Sequence, residues 1–326
     1  MKLSVALCTY NGEKFIKEQL DSILKQTVSI DEVIICDDGS TDKTVEIIEE
    51  IQLNFPDKIS LYKNQVNLGT NKNFEKAISI CSGDYIFLSD QDDIWKINKV
   101  KKIIQCFNVD ETIDAIFTNG DLINSKNVII NTHTLWDSIF FIENQLEKPI
   151  NLFRLIASKR NMVTGATLCI KKETKDFIFP FPDVKKFYHD EWIAIIIASR
   201  NKLYYTTEKL ISYRIHSNQQ IGGKINIKGR TINHHLKFSH YILNNAVPKS
   251  YLDLNQLTKI YYRNYLKYQS VADNIKTDFH LNFRALAVSN LELFIEYNDL
   301  LKKNYPVYSI FKNIIDKIRG KRQLNS

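Results

Sequence analysis

Three carboxylates fall within four positions at Asp90-Gln91-Asp92-Asp93, directly after the apolar run Tyr85-Ile86-Phe87-Leu88. An apolar run of this length reads as a buried strand. Carboxylates at its end then lie at a strand-to-loop edge, where open α/β sheets bind their ligands. Clustered Asp oxygens suit a hard divalent cation, Mg2+ or Mn2+, with a phosphate as its further partner. Taken alone, the same residues read more readily as a solvated acidic turn. Two more polar clusters follow apolar runs. Thr9-Tyr10-Asn11 comes after Leu3 to Cys8, and Asp37-Asp38-Gly39-Ser40 after Val33 to Cys36. In a parallel sheet all three clusters meet at one edge. Neither a G-x-G-x-x-G loop nor a Walker A loop occurs, so a nucleotide here needs a metal, not a glycine nest, to neutralise its phosphates. Tyr10 can stack on a base, and Asp38 can accept a hydrogen bond from a base N–H. Asp37-Asp38-Gly39-Ser40 also reads as a turn followed by a helix cap.

Further along, His189-Asp190-Glu191-Trp192 puts carboxylates at the start of a helix. The helix dipole favours negative charge there. The chemical reading is a general base that takes the proton of an acceptor hydroxyl. Arg214 and His216 fall on one face if their segment is extended, where they can meet a diphosphate or a metal; a purely structural His is the alternative. No Ser or Cys has the setting of an activated nucleophile.

The elements that must position these residues are legible as patterns. Residues 1–120 alternate strand-like and helix-like segments. Apolar positions Phe15, Ile16, Leu20, Ile23 and Leu24 repeat at helical spacing within Glu13 to Lys25. Further helices are predicted from Lys43 to Ile51, capped by Ser40 or Thr41, from Thr70 or Asn71 through Ile80, and from Lys96 to Phe107. Strands are expected at Ile59 to Tyr62 and Ala115 to Phe117. This alternation implies βαβ units and a largely parallel sheet. In residues 121–226, Val163 to Ile170 reads as a strand kinked at Gly165-Ala166, Asp190 to Ser199 as a helix, and Leu203 to Thr207 with Leu210 to Tyr213 as a strand pair. Residues 227–326 read as an α-helical appendage, with amphipathic patterns over Leu286 to Leu301 and at Val307, Ile310, Phe311, Ile314, Ile315 and Ile318.

The bulk numbers exclude several classes. The chain has 326 residues, is 44% hydrophobic and carries a net charge of +7. No stretch approaches the ~20 apolar residues of a membrane span. Five scattered cysteines without a CxxC form neither a zinc nor a disulfide framework, which suits free thiols in a reducing cytoplasm. The charge is uneven: residues from 227 onward carry 16 Lys and Arg against 7 Asp and Glu, and the first 226 carry 28 against 30. Such a basic segment is compatible with an anionic membrane surface, a dimer interface or solvated helix faces. No nucleic-acid-binding motif accompanies it.

The ordered set Thr9-Tyr10-Asn11-Gly12, Asp37-Asp38-Gly39-Ser40-Thr41-Asp42, Asn67-Leu68-Gly69, Ser89-Asp90-Gln91-Asp92-Asp93, Thr164-Gly165-Ala166 and His189-Asp190-Glu191-Trp192 resembles the family 2 glycosyltransferases over roughly residues 3–220. The later Tyr213-Arg214-Ile215-His216-Ser217-Asn218 block is similar to their bacterial rhamnosyltransferase-like branch. The resemblance implies a GT-A fold: a mixed, mostly parallel sheet flanked by helices over residues 1–226, with residues 227–326 as a helical appendage serving an acceptor, a membrane surface or an oligomer. It implies inverting, metal-dependent transfer from a UDP-hexose or dTDP-rhamnose type donor to a glycan or polyprenyl-linked hydroxyl, in making O-antigen or capsule, in the cytoplasm, with peripheral contact at the membrane's inner face as a further expectation. Carried over residue by residue, Thr9, Tyr10 and Asn11 meet the nucleoside and Asp38 the base. Asn67, Gln91 and Gly165 belong to the donor site. Asp90 and Asp92 hold metal and diphosphate, with Asp93 as the alternative to Asp92. Asp190 is the base and Glu191 its substitute, and Arg214 and His216 lie near the diphosphate and metal. His189 departs from the family's Glu-Asp pair. A nucleotidyltransferase and an inactive sugar-nucleotide binder are the competing classes.

Overall fold

The computed structural model describes residues 1–216, 219, 229–275 and 281–308. It divides into two compact units, residues 1–142, 162–181 and 185–232 in one, and 143–161, 182–184 and 233–326 in the other.

The first unit is built on a nine-stranded sheet. Its first half is a run of βαβ turns. Strands β1 (Leu3–Thr9), β2 (Glu32–Asp37), β3 (Ile59–Lys63) and β4 (Tyr85–Ser89) alternate with helices α1 (Ile16–Leu24), α2 (Thr44–Asn54) and α3 (Thr70–Ile80). These strands pair in parallel in the order β3-β2-β1-β4. Strand β1 is buried along nearly its whole length, as a parallel strand covered on both faces must be. Helix α1 buries Ile16, Gln19, Leu20 and Ile23, the inward stripe its spacing predicts.

Beyond β4 the sheet becomes mixed. After β5 (Ile94–Trp95) and α4 (Lys99–Val109) come β6 (Ala115–Ile123), β7 (Ile129–Thr134) and the short α5 (Leu135–Ser138). Next in this unit are β8 (Cys169–Lys171), the short α7 (Lys175–Ile178), α8 (His189–Ser199) and β9 (Leu203–Arg214). Strand β8 runs antiparallel to both β4 and β6, while β6 and β9 pair in parallel. The expected parallel order thus holds from β3 to β4 and gives way to mixed pairing where β8 enters between β4 and β6. The expected strand pair at 203–213 is one strand. Its register against β6 slips twice, between Thr118 and Gly120, and such bulges let a strand carry extra residues without turning back. The exposed Glu208-Lys209 interlude has the composition of a turn and the structure of a bulge. The kink at Gly165-Ala166 is a single 3-10 turn, Gly165–Thr167, ahead of β8.

The second unit contains α6 (Leu152–Ser158), α9 (Gly229–Leu243), α10 (Tyr251–Asn274) and α11 (Phe283–Asn304). Its core comprises Phe238, Ile242, Leu254, Leu257, Ile260, Tyr261, Phe294, Tyr297 and Leu301. A helix end leaves its last carbonyls unsatisfied. At the end of α6, Tyr268 donates to Ile156 O at 3.4 Å, Asn264 to Ala157 O at 3.3 Å and Arg263 to Lys159 O at 2.7 Å. The helical unit therefore takes in residues 143–161, well before the composition shift at 227. The apolar repeat from Ile310 to Ile318 lies outside the described residues.

Candidate active site

The loops after β1, β2 and β4 meet at the carboxyl edge of the parallel strands. Asp37 organises the second loop. Its Oδ1 accepts from Ser40 N at 2.9 Å, and its Oδ2 from Ser40 Oγ at 2.6 Å and Thr9 Oγ1 at 2.7 Å. Asn11 joins the first two loops, donating its N–H to Ser40 Oγ at 2.8 Å and accepting from Thr41 N at 2.8 Å. Ser40 and Thr41 are thereby occupied. The start of α2 is bonded by Asp42, whose Oδ1 accepts from Thr44 N at 3.0 Å. Asp38 is buried and holds the segment before α3: Oδ1 accepts from Leu68 N at 2.7 Å and Asn64 Nδ2 at 2.9 Å, and Oδ2 from Gly69 N at 2.9 Å. Asn67 adds a bond to Asp38 O at 3.0 Å. Tyr10 is exposed at the edge of this group.

Gln91 is a strap between loops. Its amide pairs with both sides of residue 10, accepting from Tyr10 N at 2.8 Å and donating to Tyr10 O at 2.9 Å. A Cβ on Gly12 would lie 2.2 Å from Gln91 Oε1, so a side chain there would push the Gln91 amide off residue 10. The three Asp residues beside this strap diverge. Asp90 is half-buried, and burial together with the nearby charges of Asp92 and Asp190 pushes its carboxyl up to about 7. Asp92 faces His216, with 2.9 Å between Oδ2 and Nε2. Asp93 turns into the protein: Oδ1 accepts from Arg214 N at 2.9 Å, and Oδ2 meets no partner among the described residues. Burial and the negative charge of Asp92 and Asp90 raise the Asp93 carboxyl well above its ordinary range.

These residues fit a divalent cation in a specific way. Among the described residues no set of three or more His, Cys, Asp and Glu forms a ready cage. A cation bound through one or two protein groups plus substrate phosphates and water needs no such cage. Asp92 and His216 are half-buried and converge, whereas Asp93 already spends one oxygen on backbone. Arg214 has a different task from the expected diphosphate contact. It is fully buried. Its Nε donates to Asp92 O at 2.6 Å, one terminal nitrogen to Glu18 Oε2 at 2.8 Å, and the other to Asn124 O at 3.3 Å and to the Asn127 side chain. Phe15 closes the group, with its ring 4.4 Å from the Arg214 guanidinium and 4.9 Å from the His216 ring centre.

Helix α8 brings in the second chemical group. Asp190 is half-buried, and its Oδ1 accepts from Glu191 N at 2.6 Å. Burial first, and Glu191 second, push its carboxyl up to about 7, although N–H bonds from Glu191 and Gly165 oppose the shift. The charge of Asp190 is also among the causes that raise Asp90, so the field of one carboxylate reaches the other. Glu191 is buried on the same helix start. His189 lies behind Asp190, its ring stacked on Phe74 at 3.9 Å. Burial pushes it down to about 3, so the ring is neutral. Neither ring nitrogen meets a partner among the described residues. A Cβ on Gly165 would come within 2.5 Å of His189 Nε2, which is why the loop before β8 carries glycine there. Below lies Lys99, fully buried, donating to Ala166 O at 2.8 Å over the Trp95 ring at 3.9 Å.

The expected residues thus gather on one face of the first unit. Asn11, Asp38, Asn67 and Gln91 are engaged in fixing the loops, and Arg214 in fixing the Asp92 peptide. Sequence reading missed Lys99, Asn71, Glu18 and Phe15. Lys99 had a signal, a lone lysine at an inward position of α4; the others sit in ordinary helical patterns.

Comparison with known proteins identifies the family and the fold. The family model described as glycosyl transferase family 2 matches residues 4–162. The dTDP-rhamnosyl transferase RfbG of Shigella flexneri is 32% identical over 235 residues, which cover 69% of this chain and 76% of that protein. The abequosyltransferase RfbV of Salmonella typhimurium is 31% identical over 189 residues, 55% of each chain. Among solved structures, S. aureus TarS 1–349 in complex with UDP-GlcNAc matches with a TM-score of 0.52 at 16% identity, over 91% of this chain and 72% of that one, a likeness of fold. The motifs in their expected order and a relative matched over most of its length make this chain a member of glycosyltransferase family 2, related to the bacterial rhamnosyltransferases and built on the GT-A fold.

Proposed function

We propose that this glycosyltransferase performs an inverting, metal-dependent transfer of one sugar to a hydroxyl of a glycan or lipid-linked acceptor in cell-surface polysaccharide synthesis. The name of the first relative, a dTDP-rhamnosyl transferase, favours a donor of the dTDP-rhamnose type, while that of the second points to another deoxysugar, abequose. The observation that carries the reading is that the charge of Asp190 reaches Asp90, together with the Asp92–His216 pair. Asp190, with a carboxyl near 7, is matched to take a proton at neutral pH. It removes the acceptor hydroxyl's proton as the new C–O bond forms at the anomeric carbon and the bond to the nucleoside diphosphate breaks. Tyr10 stacks on the base, and Asp38 and Asn67 hold the loop beneath it. Asp92 and His216 are the cation ligands, with Asp90 beside them; Mn2+ or Mg2+, when bound, offsets the charge of the departing diphosphate.

The test is turnover of purified protein on a panel of nucleotide sugars with Mn2+, reading the released product by mass. Nucleoside diphosphate and a glycosylated acceptor are expected; pyrophosphate release would replace the reading with nucleotidyl transfer. Asp190→Asn should lose about 10²–10⁴-fold in turnover while binding donor as before. Transfer at the wild-type rate would remove Asp190 from the role.

A further inference from the structure

We infer that Asn71 is a positioning residue for the base, fixing the start of α8 from the platform that also carries the nucleoside loop. The inference rests on the reading of Asp190 given above.

Helix α8 begins without help from its own cap residue: Tyr188 makes no side-chain cap bond. The first N–H groups of a helix lack intrahelical partners and need one from elsewhere. Asn71 supplies it across the fold. Its Oδ1 accepts from His189 N at 2.8 Å, and its Nδ2 donates to Phe187 O at 2.8 Å. Both ends of one amide are thus spent on the two residues flanking Tyr188. That fixes the backbone leading directly into Asp190, and so the direction in which its side chain leaves the helix.

The platform is itself anchored at the nucleoside end. Asn71 stands in the first turn of α3, two residues after Gly69. Gly69 N and Leu68 N are both held by the Asp38 carboxylate. Further along the same turn, Asn73 donates to Cys36 O of β2 at 2.8 Å. A continuous set of bonds therefore runs from Asp38, through the start of α3, to the start of α8. Asn71 itself reaches neither the site's carboxylates nor its half-buried His216; its two side-chain bonds go to backbone. A side chain in that position acts on the rate through the placement of Asp190.

Asn71→Leu keeps the number and branching of side-chain heavy atoms and removes both bonds. Because a misplacement of about 1 Å costs about 10²-fold, kcat should fall by roughly 10- to 100-fold, while donor KM and the affinity for UDP or dTDP with Mn2+ change by less than about twofold. The acidic limb of the rate profile should move to lower pH as Asp190 becomes better solvated. Asn71→Asp keeps the acceptor for His189 N and loses only the bond to Phe187 O, so its kcat should lie between the two; it also decides the matter if the leucine variant fails to fold. Wild-type kcat and pH profile in the variant, with Asp190→Asn inactive, would overturn the role of Asn71 alone. A parallel loss of nucleotide affinity and kcat would likewise overturn it, making Asn71 a loop-folding residue. Full activity in Asp190→Asn would instead remove the base reading on which it rests.

Discussion

Asp190 and Asp90 carry the same conflict. Each is a carboxylate drawn into a site that disfavours its charge, and each is pushed up to about 7. The cost appears as a stability effect with a definite sign. In the unfolded chain both groups lose their protons near 4; in the folded protein they keep them until about 7. Between those values the folded state binds more protons, so stability falls as pH rises through that window and stays lower above it. Asp190→Asn removes one of the two charges and keeps an oxygen for Glu191 N. It should raise the Tm at pH 8 and leave it nearly unchanged at pH 4, a comparison that scanning calorimetry can make directly. Equal Tm shifts at both pH values would mean that Asp190 is not held near 7. The rate carries the mirror image: kcat/KM should be flat above about pH 8 and fall below about 7 as Asp190 takes up its proton. At this scale the sequence was informative about chemistry and silent about partners. Asp190 and the Asp90–Asp93 cluster are visible because carboxylates at element ends are unusual. That Asp93 faces inward to Arg214 N, or that Gln91 grips residue 10, depends on contacts across some eighty to a hundred and twenty positions that no local pattern encodes.

At the scale of elements, the arrangement of the site depends on side chains that join one element to another. Arg214 at the end of β9 ties together Asp92 O, Glu18 on α1 and the turn between β6 and β7. Its guanidinium is fully buried, while the Glu18 side chain is 46% exposed. The two ends of this ion pair should therefore respond unequally. Arg214→Met strips partners from several buried oxygens, and breaking a buried pair typically costs 3–5 kcal/mol. Water can reach Glu18, so about 3 kcal/mol is expected, or roughly 6–12 °C in Tm for a unit of this size. Glu18→Gln should cost less than about 1 kcal/mol, as an exposed partner does. Thermal melts of the two variants check this; comparable losses would mean that the salt bridge, and not the bonds to Asp92 and the β6–β7 turn, carries the effect. The elements themselves were largely readable. The 3–4 spacing in α1 and the buried runs of β1 and β4 follow from local physics. Strand β9 was not, because a bulge inserts exposed polar residues into a continuous strand and so imitates a turn. The starts of α2 and α3 were misjudged for a related reason: Ser40, Thr41 and Asn71 have cap chemistry but are bonded elsewhere, Ser40 and Thr41 to Asn11 and Asn71 to the backbone on either side of Tyr188.

For the whole molecule, the composition shift at residue 227 marks most of the helical unit, yet α6 and its neighbours join that unit from the middle of the chain. Nothing in residues 143–161 distinguishes them by composition, since the link is made by Arg263, Asn264 and Tyr268 from α10. The aromatic wealth of this unit has two readings, core or membrane contact, and the core accounts for much of it: Phe238, Tyr261, Phe294 and Tyr297 are buried together. No helix among the described residues is long and apolar enough to cross a membrane. Charge is one source of affinity for a lipid surface. Residues 309–326 hold five Lys and Arg against one Asp, and each basic residue near an anionic surface contributes about 1 kcal/mol. Vesicles containing phosphatidylserine should therefore retain the full chain at 50 mM salt and release it at about 0.5 M, where screening shortens the reach of charge to a few ångströms. A chain ending at Tyr308 keeps the contacts of Tyr251 with Tyr305 and Tyr308 and should be retained more weakly at low salt. It should still transfer sugar to a soluble acceptor at the full rate, because every group assigned to the chemistry lies in the first unit. Retention that survives high salt would mean that apolar side chains enter the bilayer, and the packed aromatic core would not be the main use of this composition.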